Sequence, residues 1–234
     1  MKKQLFITTL MLLMISATYS QSTSKMETKK FNIGLSTGFA FPIAFFNSTD
    51  YNKFQDPGFA KTGFNVNLQG SYHITNNFGI ASKVQFSNFG VNEEAAKRYL
   101  PISVTPSSTD HWQYFGILAG PMGTIELADN FYMDVKGLVG YSRANAPVLK
   151  FSLEEISGVN LVTADKWSDA FAWQLGTDFR YRFANNFNVF TNIDYSYMKP
   201  RWNFDITTGS SKTNTIIHQR MSVVDVNLGV GVEF

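Results

Sequence analysis

Charged side chains in this chain recur at every second position. Asp178, Arg180 and Arg182 share one parity, as do Asp134 and Lys136, and Lys83, Asp194, Asp225 and Glu233 alternate with apolar residues in the same way. Successive side chains of a strand point to opposite sides, so residues of one parity meet on one face. Acids and bases gathered there have two uses. They neutralise one another as an ion-pair network, or they line a path as a selectivity filter or proton relay. An unpaired charge in a dry interior costs several kcal/mol, so a narrow interior favours the network. The remaining chemistry-bearing residues are sparse. His111 with Ser107 or Ser108 is the one local His–Ser pairing, and two hydroxyls in a Ser/Thr-rich stretch are weak grounds for acyl chemistry. Gly229-Val230-Gly231 has no following Lys or helix and is no phosphate loop. The chain has no Cys, which removes disulfides, thiolate metal sites and Cys nucleophiles. No catalytic, cofactor-binding or metal-binding residues are expected.

The elements that position the charges are strands. Eight are predicted, at 31–43, 62–74, 78–89, 111–127, 131–143, 169–183, 187–199 and 220–234. Five alternate cleanly. In the last, Val224, Val226, Leu228, Val230, Val232 and Phe234 oppose Asp225, Asn227, Gly229, Gly231 and Glu233. In the sixth, Phe171, Trp173, Leu175 and Phe179 oppose Gln174, Asp178, Arg180 and Arg182. The first, second and seventh repeat this pattern of one apolar and one small or polar face. The fourth is apolar on both faces through Phe115–Gly120 and is interrupted by Pro121. A bulge is expected there, and its facing is left open.

Three similar short turns join these strands: Thr75-Asn76-Asn77-Phe78, Ala128-Asp129-Asn130-Phe131 and Ala184-Asn185-Asn186-Phe187. They alternate with four long loops near 44–61, 90–110, 144–168 and 200–219. That asymmetry, with a Gly-, Ser- and Asn-rich polar face, fits an eight-stranded antiparallel transmembrane up-and-down β-barrel with greasy residues toward lipid. A soluble β-protein would put those residues inside. Phe31, Phe78, Phe131 and Phe187 each begin an odd-numbered strand on the turn side, as an interfacial aromatic girdle would. Both termini then lie with the short turns, on the periplasmic side, and the long loops face outward. Strands four and eight fall on opposite sides of such a barrel, so His111 and His218 are not expected to share a metal. All three His, including His73 near the periplasmic end, are read as solvated or interfacial. Asn92 is placed to cap a short helix in which Glu93–Lys97 and Glu94–Arg98 are spaced i,i+4.

Residues 1–20 read as a signal peptide, with Lys2 and Lys3, an apolar run from Leu5 to Ile15, and small residues before Gln21. Residues 21–30 are a flexible leader and 31–234 the barrel. Removing Lys2 and Lys3 leaves 18 basic against 18 acidic residues, so the mature chain has no electrostatic case for nucleic acid.

The signal, the amphipathic strands, the Asn-rich turns and the ending Val230-Gly231-Val232-Glu233-Phe234 resemble the small outer-membrane barrels of the OmpA membrane-domain, OmpX and OmpW type. The Gln after the cleavage position and the Asn/Phe-rich strands resemble the version common in Bacteroidota, the outer-membrane β-barrel domain or PorT-like group. The resemblance implies that Phe234 is a signal for the barrel-assembly machinery. It implies outer-membrane lipid and lipopolysaccharide as surroundings. The expected function is structural or interactive: a plugged interior and four displayed loops for adhesion, envelope integrity or partner binding. Loops 90–110 and 144–168 are the partner candidates, the latter because it is rich in apolar residues. The alternatives are a narrow transport barrel for ions or small hydrophobic solutes and an accessory component of a secretion system.

Overall fold

The computed structural model describes residues 29–50, 57–98, 106–109, 111–147, 149–151, 159–162, 167–208 and 211–234. The proposed signal peptide and most of the leader lie outside the described residues. The strands are β1 (Phe31–Ile43), β2 (Ala60–His73), β3 (Phe78–Val91), β4 (Pro106–Thr109), β5 (Trp112–Ala128), β6 (Phe131–Asn145), β7 (Leu149–Phe151), β8 (Val159–Val162), β9 (Trp167–Arg182), β10 (Phe187–Met198), β11 (Arg201–Thr208), β12 (Ser211–His218) and β13 (Met221–Glu233). Eight of them close a barrel in the order β1-β13-β10-β9-β6-β5-β3-β2, each antiparallel to its neighbours. These eight are the strands read from the sequence, each end within two residues of the expected position.

The facing follows the alternation. Leu35, Leu68, Ile117, Val139, Leu175, Ile193 and Leu228 are exposed on the outer wall, whereas Asp178, Asn192 and Asn227 are buried inside. Only lipid makes such a wall stable, since each of these side chains would lose about 1.5–3 kcal/mol by facing water.

The short turns share one construction. The residue before each strand-opening Phe accepts a bond from the next strand along the wall. Asn77 O accepts from Thr124 N at 2.9 Å, Asn130 O from Arg182 N at 2.9 Å and Asn186 O from Glu233 N at 2.7 Å. Lys30 O, before Phe31, accepts from His73 N at 2.8 Å in the same way. This explains the sequence repeat: each turn stitches its hairpin to the neighbouring one. Asn130 sits at φ 62°, a conformation Asn tolerates better than most residues. At the seam, Phe234 N donates to Phe31 O at 2.9 Å, closing the first strand onto the last.

Strand β5 resolves the open facing. Trp112, Tyr114, Leu118, Met122 and Thr124 point inward, and Ile117 and Ile125 face outward. The bulge expected at Pro121 is absent. Pairing with β3 runs through Ile80–Pro121 without a shift, and β5 pairs with β6 in the same register on both sides of Gly120–Pro121, where the β6 pairing lapses. Proline is tolerated because the β6 pairing lapses at Gly120–Pro121, so its missing N–H leaves no partner there unmatched, and its ring lies on the exposed outer face. The irregularity sits instead between Glu126 and Ala128, at the turn.

At the other end the loops build structure of their own. β11 and β12 form a hairpin that β8 joins in a three-stranded sheet, and β4 pairs with β7. Helix α1 (Glu93–Lys97) starts as expected, with Asn92 Oδ1 accepting from Ala95 N at 3.2 Å.

Candidate functional site

The interior is layered. Nearest the turns, Glu233 receives Arg182 Nη2 at 2.5 Å and also binds Arg180. Arg180 Nε reaches Asp134 Oδ2 at 3.1 Å, and both guanidinium groups lie over Tyr132, at 5.0 and 5.2 Å from its ring centre. Thr124 Oγ1 donates to Asp134 Oδ1 at 2.6 Å, and His73 Nε2 lies 3.1 Å from that hydroxyl. His73 is thus buried inside the wall, which corrects its reading as a solvated or interfacial group. Its inward parity on β2 outweighs its position near the strand end. His111 and His218 are exposed.

The middle layer holds the remaining charges. Lys136 Nζ lies 2.7 Å from Asp178 Oδ1 and 3.7 Å from Asp194 Oδ1. Lys83 Nζ donates to Asp194 Oδ2 at 2.5 Å. This last pair spans the lumen, because β3 and β10 lie on opposite sides of the barrel. Gln69 reaches across from β2 to Asp178 at 3.3 Å, and Gln174 from β9 to Gln85 on β3 at 3.3 Å. Asp225 is held by amides: Asn65 Nδ2 and Gln85 Nε2 donate to its two oxygens at 2.6 and 2.8 Å. All nine predicted interior charges face the lumen. The partners differ from sequence proximity, though. Arg180 binds Asp134 and Glu233, not Asp178 two positions away.

Gly176 makes this layer possible. It lies between Lys136 and Asp194 across its two neighbouring strands. A Cβ there would collide with Asp194 Oδ1 and come within 3.1 Å of Lys136 Cε. Gly176→Ala is therefore expected to destabilise the barrel by about 1–3 kcal/mol, as overpacking does. Urea titration of vesicle-embedded protein, read by heat-modifiable gel migration, measures it. Gly137→Ala, whose new methyl would meet Leu175 at 3.6 Å, is the near-neutral comparison.

The sequence pattern did not reveal the top layer. Phe46, Phe89, Trp112, Trp202, Met198 and Met221 form an apolar lid at the loop end, all buried. Phe46 packs edge-on against Phe89 and Trp112 at 5.2 and 5.5 Å, and Trp112 against Trp202 at 5.7 Å. Trp112 Nε1 donates to Gly58 O at 3.0 Å, pinning the first loop inward. Trp112 and Phe89 carry the inward parity of their strands, which was the available signal. Phe46 lies in a loop and gave none, and Trp202, in β11, continues the inward parity of β10 beyond that strand's expected end.

Of the four aromatics expected to form a girdle, Phe31, Phe78 and Phe187 are exposed at the turn end and Phe131 is half-buried. Phe234 is exposed beside them.

A family model of the outer membrane protein beta-barrel domain matches residues 7–234. The chain belongs to that family. Among solved structures, Neisserial surface protein A (NspA) is 15% identical, with a TM-score of 0.51 over 87% of this chain and 97% of that one. A major outer membrane protein from Thermus thermophilus is 10% identical, with a TM-score of 0.50 over 87% and 99%. At these identities the likeness concerns the fold. No curated protein matches the chain significantly. As an outer membrane protein beta-barrel domain, the chain resides in the outer membrane, and its exposed apolar wall faces lipid. Among the described residues, no group of three or more His, Asp or Glu is arranged to hold a metal ion.

Proposed function

We propose that this protein is a plugged outer-membrane barrel with a structural or interaction role, acting through its displayed loops. The observation that carries the reading is the set of contacts that cross the lumen. Lys83–Asp194 and Gln69–Asp178 tie opposite walls together beneath a closed aromatic lid. A cavity lined by Gln69, Asp134, Lys136 and Asp178 amounts to about 10 Å³, near the size of one water. In this reading the short turns and both termini face the periplasm, Phe234 serves barrel assembly, and the long loops face outward. The strands β8, β11 and β12 give those loops a sheet on which adhesion, envelope contacts or a partner can rest. The loops at 90–110 and 144–168 are the proposed partner surfaces.

Planar-bilayer recording tests the plug. Purified protein is expected to show no stable open state at physiological salt. A persistent nanosiemens-scale pore would transfer the function to ion or solute transport.

A further inference from the structure

The outer wall carries a cationic cluster that forms no ion pair with a carboxylate among the described residues; Asp169, beside it on β9 next to the Ser168 that bonds Arg201, is engaged by Arg143 and Tyr141. Lys199 and Arg201 continue the outward parity of β10, since Met198, Pro200 and Trp202 between and beside them are buried. Arg220 and His218 continue the outward parity of β13, with buried Gln219 between them. The two runs face each other. Met198 pairs with Met221 and Arg201 with His218, which places Lys199 opposite Arg220. Gln219 N donates to Pro200 O at 3.1 Å, holding the pair of runs together at the hairpin base. Like charges directly across a ladder repel, so this arrangement is unfavourable by itself.

On β6 and β9, at a similar height, the exposed Arg143 is paired. Its Nε lies 3.1 Å from Asp169 Oδ1, and Tyr141 donates to the same oxygen at 2.6 Å. Neutralisation is thus available at this rim and is used on the β6–β9 side. The β10–β13 side is organised in a different way. The Arg220 guanidinium lies over the Phe45 ring, 3.6 Å from its centre, which fixes its position at the wall.

Its height defines the ligand. Outward residues of β10 run from Phe187 to Tyr197, about 25 Å along the axis for ~3.3 Å per residue and a tilt near 40°. Trp173 packs against Tyr195 and Tyr197 at 5.3 and 5.9 Å, an aromatic layer at the loop end of that band. Lys199 is the next outward residue. The cluster therefore stands where the apolar wall gives way to headgroups. Arg and Lys there match phosphate oxygens through charge-assisted hydrogen bonds.

We infer that Lys199, Arg201 and Arg220, with His218, form a binding site for the phosphate of an outer-leaflet glycolipid on the β10–β13 side of the barrel. This rests on the outward orientation of the loops proposed above, and the two are tested separately. Orientation is read on intact cells by labelling an Asn203→Cys variant with an impermeant maleimide, which is unambiguous in a chain without Cys. The site is read on protein in a maltoside detergent, which carries no phosphate, by titration with bis-phosphorylated lipid A, dephosphorylated lipid A and inorganic phosphate. Bis-phosphorylated lipid A is expected to bind, and more weakly as salt rises. The combined Lys199→Gln, Arg201→Gln and Arg220→Gln variant is expected to bind it at least roughly tenfold less tightly. Arg143→Gln is expected to bind it unchanged. Heat-modifiable migration shows whether the variants fold, and Lys199→Gln alone, expected to weaken binding, replaces the triple variant if that one does not. Equal binding of dephosphorylated lipid A, or an unaffected triple variant, overturns the site. Full competition by millimolar inorganic phosphate overturns its assignment to a lipid.

Discussion

Replacing Lys136 by Met is expected to cost the barrel about 3–5 kcal/mol of folding free energy, the usual penalty for removing one partner of a buried ion pair. Lys136 is the hub of the middle layer. It holds both oxygens of Asp178, at 2.7 and 2.8 Å, and lies 3.7 Å from Asp194. Without it Asp178 keeps only the Gln69 amide at 3.3 Å among the described residues. Asp178 also stands directly across β6–β9 from Asp134, a like-charge pair that Lys136 and Arg180 now compensate. Asp194 suffers less, because Lys83 remains. The loss should therefore be specific to Asp178. Asp178→Asn in the Lys136→Met background is expected to restore about half or more of the stability. Urea unfolding in lipid vesicles gives both numbers, with the exposed Lys61→Met near zero. A cost below about 1 kcal/mol for Lys136→Met would mean that the lumen is wet enough to solvate a free carboxylate. The plug would then be a weak one.

The hub also marks the limit of what the sequence conveys. In the cleanly alternating strands the side a residue faces was legible, because a period of two leaves a one-dimensional trace: Asp178, Asn192 and Asn227 alternate with Leu175, Ile193 and Leu228. The turns were legible because Asn and Phe recur at one spacing. Which charge meets which was not. Lys83 and Asp194 lie on opposite walls, so their contact depends on strand number and register, quantities that no local pattern carries. Sequence distance alone would couple Arg180 to Asp178, whereas its actual partners come from β6 and β13. Pro121 misled for a related reason. Proline signals a lost donor, but whether that bends a strand depends on whether a partner needs that donor, and here the β6 pairing lapses at Gly120–Pro121. The lid was hidden most completely, since Phe46 and Trp202 lie beyond the expected ends of their strands.

That lid gives the second large effect. Trp112→Ala is expected to cost about 3–5 kcal/mol, as for other large buried aromatics. It removes the ring that touches both Phe46 and Trp202 and leaves the Gly58 carbonyl without its donor. Trp112→Phe separates the two contributions. It keeps a ring and loses the indole N–H, so about 1–3 kcal/mol is expected. The first loop should respond more than the barrel, because Phe46 and Gly58 are its attachments to the lid. Limited proteolysis is expected to cut within 44–59 in Trp112→Ala at protease levels that spare the parent protein. The charged layer beneath is built from other residues, and Lys83–Asp194 still spans the lumen. Trp112→Ala should therefore remain electrically silent in a planar bilayer, even with its loop released. A variant that conducts would place the whole seal in the aromatic layer and leave the ion pairs a purely structural task. A variant that is cut but silent locates the barrier in the middle layer, where Lys136 and Gly176 are the residues to change.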